Sequence, residues 1–215
     1  MGFDMNAFSL AGKKAIVTGG AKKTGLCYGM AVALHDAGAE IVILDANSQV
    51  ENTVAELGGA KSGYHAVVAN LLDLNDLSNG FQQAISALGG RLDILVNGAG
   101  LQYRCPSEEF PEDAWDRIMG VNIKGVFFMS QLAGKVMLKQ GKGKIINIAS
   151  TNSFIGLRNM PAYVSSKGGV KQLTMALSSE WSGRGINVNA IAPGYMDTEM
   201  SKDLQQMEQG KQLTK

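Results

Sequence analysis

The chain has 215 residues, 45% of them hydrophobic and 18% charged, enough to bury one substantial core in a single domain over 1–215. A net charge of +1, with Lys and Arg scattered, argues against a nucleic-acid stripe or a membrane-binding face, and no apolar run approaches the roughly 20 residues that span a bilayer. Cys27, Cys105, His35 and His65 make neither a disulfide framework nor a metal cluster, and the opening MGFDMNAFSLAGKK lacks a basic-then-apolar leader, so a cytoplasmic location is expected.

In chain order, a strand over 13–19 (KKAIVTG) leads into a helix over 24–37. A strand over 39–45 is followed by a helix over 49–57, and a strand over 63–70 by a helix over 75–88. A strand over 92–100 precedes two helices within 111–140, a strand over 144–150 precedes a helix over 161–182, and a strand over 186–194 ends the series. The strands are nearly continuous in Val, Ile and Leu, the pattern of a parallel sheet buried on both faces. Regular strand–helix alternation predicts an α/β fold, a doubly wound parallel Rossmann sheet with right-handed crossovers. No linker, low-complexity tract or charge block marks a second domain.

Ligands of such sheets bind beyond the carboxyl ends of the strands. After the first strand stands TGGAKKTG, Thr18 to Gly25. Gly19 permits a tight turn, Gly25 lets the helix pack close to the strand, and the helix starting near Thr24 offers free N–H groups to a pyrophosphate. Asp45, twenty residues beyond Gly25, is placed to accept hydrogen bonds from a ribose diol; the plainer reading is a strand-end carboxylate in a solvated turn. Ser150 ends the fifth strand, and PAYVSSKGGV then opens a helix with Tyr163 and Lys167 four apart on one face. A nearby ammonium favours tyrosinate and is expected to lower the Tyr163 pKa toward the working pH, leaving a proton-transfer group beside a hydroxyl. Taken alone, the pair reads equally as a lysine stem packed on a ring.

These pieces, with NGAG (Asn97–Gly100), Asn122 in GVNIKGVFF and PGYMDT (Pro193–Thr198), resemble the short-chain dehydrogenase/reductase family from about Phe8 to Met200. The resemblance implies a sheet order of 3-2-1-4-5-6 and a hydride transfer between a nicotinamide and a secondary alcohol or ketone. It makes Tyr163 the acid/base, Ser150 the group that orients the substrate oxygen, Lys167 the holder of the nicotinamide ribose, and Asn122 the holder of a relay water near Lys167. It places Gly19, Lys22, Lys23, Thr24, Gly25 and Leu26 at the phosphates, and Asn70 and Leu71 at the adenine. Asn97, Ala99 and Gly100 line the cofactor's middle, and Pro193, Gly194, Met196 and Thr198 meet the carboxamide. Three departures stand out: Lys23 replaces the middle glycine of the turn, Gly98 replaces an asparagine, and Asn70 replaces an aspartate.

Asp45 would repel a 2′-phosphate, so NAD is expected first; Lys22, a basic residue in the turn, argues for NADP as second choice. The similarity is strongest to the sugar-acid branch, with gluconate or deoxygluconate as model substrates. Gln102 and Arg104 are assigned to a polyol and a carboxylate, and Asn152 and Met160 to the pocket wall. Rival readings are a 3-oxoacyl-carrier-protein reductase-like enzyme and a non-catalytic nucleotide-binding relic. A homodimer or homotetramer is expected, through helix faces in 111–140 and 161–182. After PGYMDTEM the family's lid, seventh strand and tail are expected, whereas SKDLQQMEQGKQLTK ends the sequence. Strand six then becomes a sheet edge, 199–215 the most mobile segment, and activity weak.

Overall fold

The computed structural model describes residues 5–198. Six strands form one parallel sheet: β1 (Lys14–Thr18), β2 (Glu40–Asp45), β3 (Tyr64–Val68), β4 (Ile94–Asn97), β5 (Gly143–Ile148) and β6 (Ile186–Ile191). Their spatial order is β3-β2-β1-β4-β5-β6, as expected. The helices are α1 (Leu26–Asp36), α2 (Gln49–Glu56), α3 (Leu74–Ala87), α4 (Glu112–Met119), α5 (Val126–Gln140) and α6 (Pro161–Trp181). A π-helical turn over Gly120–Gly125 joins α4 to α5, so the two helices anticipated in 111–140 are nearly continuous.

Successive strand residues face opposite layers. Ile16, Val42 and Leu44 pack with Phe81 of α3, Met129 and Met137 of α5, and Trp181 of α6. Val17, Ile41 and Ile43 pack with Cys27 and Ala31 of α1 and Val50 and Val54 of α2. A fully buried aliphatic side chain contributes about 1.5–3 kcal/mol, which is why the central strands can be apolar at nearly every position.

The predicted strands overrun at their carboxyl ends. Residues 69–70, 98–100, 149–150 and 192–194 were assigned to strands, but β3 stops at Val68, β4 at Asn97, β5 at Ile148 and β6 at Ile191, so Ser150 caps the short turn after β5 and does not end the strand. The freed segments bend away from the ladder and become the walls of a cleft, as the switch between β1 and β4 requires. Two side bonds fix this end of the sheet. Asn70 N–H donates to Asp76, itself beside the Asp73 cap of α3, and Thr151 N–H donates to the carbonyl of Pro193. Among the described residues β6 pairs with β5 alone. The expectations for 199–215, its mobility and the missing seventh strand, lie outside the described residues.

Candidate active site

A cavity of about 910 Å³ runs along the carboxyl ends of the strands, from Asp45 and Asn47 to Tyr163 and Lys167. At one end lies the glycine turn. Gly19 is left-handed (φ 87°), and a Cβ there would stand 2.7 Å from the Cα of Ala99, so only glycine fits. Asp45 organises the turn: one carboxylate oxygen accepts the N–H of Ala21 and the other that of Asn47, both at 2.9 Å. Thr53 donates to the Ala21 carbonyl at 2.6 Å. Gly25 caps α1 without a side-chain hydrogen bond, leaving the first-turn N–H groups of an 11-residue helix beside the cavity. An uncapped helix start in a glycine cradle fits a dinucleotide pyrophosphate.

Gly19, Lys22, Thr24, Gly25 and Leu26 all line the cavity. Lys23 does not. Its ammonium is paired with Glu56 at the end of α2, away from the phosphates it was assigned to. Close packing onto the neighbouring strand falls to Gly20 rather than Gly25: a Cβ on Gly20 would be 2.8 Å from Ile43, whereas one on Gly25 would press on the Lys22 carbonyl at 3.0 Å. Asn70 and Leu71 reach the cavity from β3, with Asn70 Oδ1 accepting the Leu72 N–H at 3.0 Å.

Ala99 and Gly100 line the middle of the cavity, but Asn97 does not. Asn97 is 2% exposed, and its amide donates to Ser130 and Asn147, each at 2.9 Å, so its side chain ties β4 to β5 and α5. Thr18 holds the start of the loop, accepting from Gly98 and Ala99 N–H. Gly98 stands where the resemblance expects an asparagine. The structure gives a steric reason for the glycine: a Cβ there would collide with Cys27 Sγ, and Cys27 lines the cavity. Burial pushes the Cys27 thiol up to about 11, so it is a packing group and not a nucleophile.

The candidate catalytic group is assembled by the turn after β5 and by α6. Ser150 accepts the Asn152 N–H at 3.1 Å and lines the cavity together with Tyr163. Lys167, 5% exposed, donates to the Ile148 carbonyl at 2.6 Å and lies 5.8 Å from the centre of the Tyr163 ring. Burial lowers its pKa to about 8. The expectation that Lys167 draws the Tyr163 pKa down is corrected here. Burial dominates and raises it, with the Ser150 hydroxyl opposing, so the phenol keeps its proton.

Asn122 is fully buried at the π-turn, and its side chain is committed. Its oxygen accepts the Leu101 N–H at 2.7 Å, while its amide donates to the Leu101 carbonyl and to Ser166. Ser166 in turn donates to the Tyr163 carbonyl at 2.8 Å. The Asn122 side chain is therefore a clamp between the loop after β4 and helix α6. Ser166 escaped the sequence reading because it lies inside YVSSK as an ordinary helix residue.

The remaining sequence-predicted residues converge. Pro193, Gly194, Met196 and Thr198 wall the cavity from beyond β6, and Gln102, Arg104, Asn152 and Met160 line its other end. Arg117, Leu157 and Tyr195 also line it and were not assigned to it; Arg117 and Leu157 lie outside the motifs, and Tyr195 lies within PGYMDT between two residues that were assigned. Among the described residues no three His, Cys, Asp or Glu side chains group as a metal site, and no helix is long and apolar enough to cross a membrane.

Residues 13–209 match the family model described as short chain dehydrogenase. The chain is 44% identical over 206 residues to 2-dehydro-3-deoxy-D-gluconate 5-dehydrogenase of Escherichia coli, covering 95% of this chain and 80% of that protein. It is 36% identical over 204 residues to gluconate 5-dehydrogenase of Gluconobacter oxydans, covering 92% and 76%. The crystal structure of a gluconate 5-dehydrogenase from Burkholderia cenocepacia, in complex with NADP and tartrate, superposes with a TM-score of 0.87 at 33% identity, covering 94% of this chain and 79% of that one.

Proposed function

The chain belongs to the short-chain dehydrogenase family, and from that premise we propose that it interconverts a secondary alcohol and a ketone on a sugar acid of the gluconate or deoxygluconate type. A nicotinamide dinucleotide bound along the cleft supplies or accepts the hydride. The observation that carries the reading is that Ser150, Tyr163 and the buried Lys167 line one wall of the cavity, with the Lys167 ammonium 5.8 Å from the Tyr163 ring centre.

For ketone reduction, Tyr163 gives its proton to the oxygen that becomes the alcohol, while Ser150 donates a hydrogen bond to the same oxygen and fixes its direction. A phenol held protonated by burial is matched to this acid role. For oxidation the proton moves the other way, and the rate is expected to rise with pH as the phenol gives up its proton more readily. Lys167, protonated below about pH 8, is placed to hold the ribose. Asn122 keeps Leu101 and the Tyr163 turn in register. Arg104 and Gln102 supply a guanidinium and an amide for the carboxylate and hydroxyls of the substrate, chemistry in keeping with the sugar-acid relatives.

Of the two dinucleotides, NAD is the first reading, because the Asp45 carboxylate lines the cavity where a 2′-phosphate would crowd it. NADP is the second, favoured by the similar gluconate 5-dehydrogenase in complex with NADP. Both Asp45 oxygens already accept main-chain N–H groups, which offsets part of its repulsion of a phosphate. Self-association is proposed from exposed apolar side chains on the helices, Trp115 of α4 and Met175 of α6.

The test is a panel of sugar acids, neutral polyols and acetoacetyl thioesters with each dinucleotide, read by absorbance of the reduced nicotinamide. Turnover confined to the sugar acids supports the reading. Turnover confined to the thioesters replaces it with an acyl reductase, and cofactor binding without any turnover replaces it with a binding module.

A further inference from the structure

We infer that Asn159 is a positioning residue for the substrate end of the site, an inference that rests on the reading of Arg104 as the carboxylate-binding group. The loop after β4 has no sheet ladder beyond Asn97 and must be held by other bonds. Its first pin is Leu101, whose N–H and carbonyl are both taken by Asn122. Its second is Cys105, whose N–H donates to the Asn159 carbonyl at 3.0 Å. Between the pins lie Gln102, Tyr103 and Arg104. Gln102 and Arg104 line the cavity, while Tyr103 sets its ring edge-on to Phe110 at 5.7 Å, the alternation of an extended segment. The direction of Arg104 therefore depends on where its neighbour Cys105 is held.

Asn159 is the one non-glycine residue with positive φ (61°) among the described residues. Asparagine tolerates the left-handed region, whereas a β-branched residue there is a true outlier. Directly after it, Met160 (1% exposed) lines the cavity and Pro161 opens α6, the helix that carries Tyr163 and Lys167. The left-handed turn aims the Asn159 carbonyl across at Cys105 just before the chain enters α6. Asn159 thus ties the loop that presents Arg104 to the helix that presents the proton donor, and it does so without touching the substrate.

The test compares Asn159→Val, which cannot keep the turn without strain, with Asn159→Gly, which can. Steady-state oxidation of D-gluconate is measured for both, alone and with Arg104→Ala, and amide hydrogen exchange is followed over 101–105. Asn159→Val is expected to raise KM for gluconate about tenfold, with kcat and the cofactor Kd within about twofold. Asn159→Gly is expected to match wild type, and the Val effect to vanish once Arg104 is gone. An unchanged KM in Asn159→Val, or an equal rise without Arg104, overturns the inference. If Arg104→Ala leaves gluconate KM unchanged, the reading of Arg104 fails instead, and if wild type turns over none of the sugar acids of the panel, the substrate reading fails. Exchange then decides: faster exchange at Cys105 in Asn159→Val but not in Asn159→Gly upholds the pin, and equal exchange removes it.

Discussion

Replacing Lys167 with methionine tests the electrostatics of the site by a sign that other roles do not produce. The Lys167 ammonium is 5% exposed between β5 and α6, and burial lowers its pKa from 10.5 to about 8. In the folded chain the proton is therefore lost at lower pH than in the unfolded chain. The cost of burying the charge is in full force below pH 8 and is relieved as the pH rises from about 8 toward 10.5. At about 1.4 kcal/mol per tenfold change in proton affinity, the interval corresponds to about 3 kcal/mol, of which about 2–3 kcal/mol is recovered between pH 7 and pH 10. Lys167→Met keeps an apolar stem and removes the charge. It also removes the bond to the Ile148 carbonyl, a loss of about 1 kcal/mol that is nearly the same at both pH values. Denaturant unfolding of wild type and variant at pH 7 and pH 10 measures the difference. Wild type should gain about 2–3 kcal/mol relative to the variant on going to pH 10. An equal gap at the two pH values would refute the assignment of a buried, destabilised ammonium.

Gly98→Ala should lower stability by about 1–3 kcal/mol, since the new methyl meets Cys27 Sγ, and Cys27→Ala in the same chain should restore most of the loss. Thermal unfolding of the two single variants and the double variant checks this; a cost independent of Cys27 would remove the proposed contact. Asp45→Ala should raise the use of NADP relative to NAD and also lower the melting temperature, because Ala21 and Asn47 lose their acceptor. A wild type that already prefers NADP would sink the first half of that expectation while leaving the second standing.

The fold was legible because each element carried its own signal. Strands such as EIVILD in β2 are apolar at both faces, and Pro161 and Gly141 mark a helix start and a helix end. The errors fell at the carboxyl ends of β3, β4, β5 and β6, where residues of strand-like character leave the ladder to wall the cleft. Short-range spacing located Ser150, Tyr163 and Lys167, since two of them share a helix face. It did not reveal that Lys23 reaches across to Glu56, that Asn97 bridges β4 to β5 and α5, or that Cys27 fills the space left by Gly98. Those are contacts between residues tens of positions apart, and no local pattern encodes them. The direction of the Tyr163 pKa was missed for a related reason: the sequence shows a lysine four residues away, but not the burial that outweighs it.

Tyr163→Phe bears most directly on the claim that this cavity is a hydride-transfer site with a phenol as its proton donor. The substitution removes one oxygen and leaves the ring against Lys167. Turnover of the best substrate in the panel should fall by about 10²–10⁴-fold, with the dinucleotide Kd in a fluorescence titration changed by less than about twofold. Retention of more than about a tenth of the wild-type rate, with the cofactor bound as before, would contradict the account.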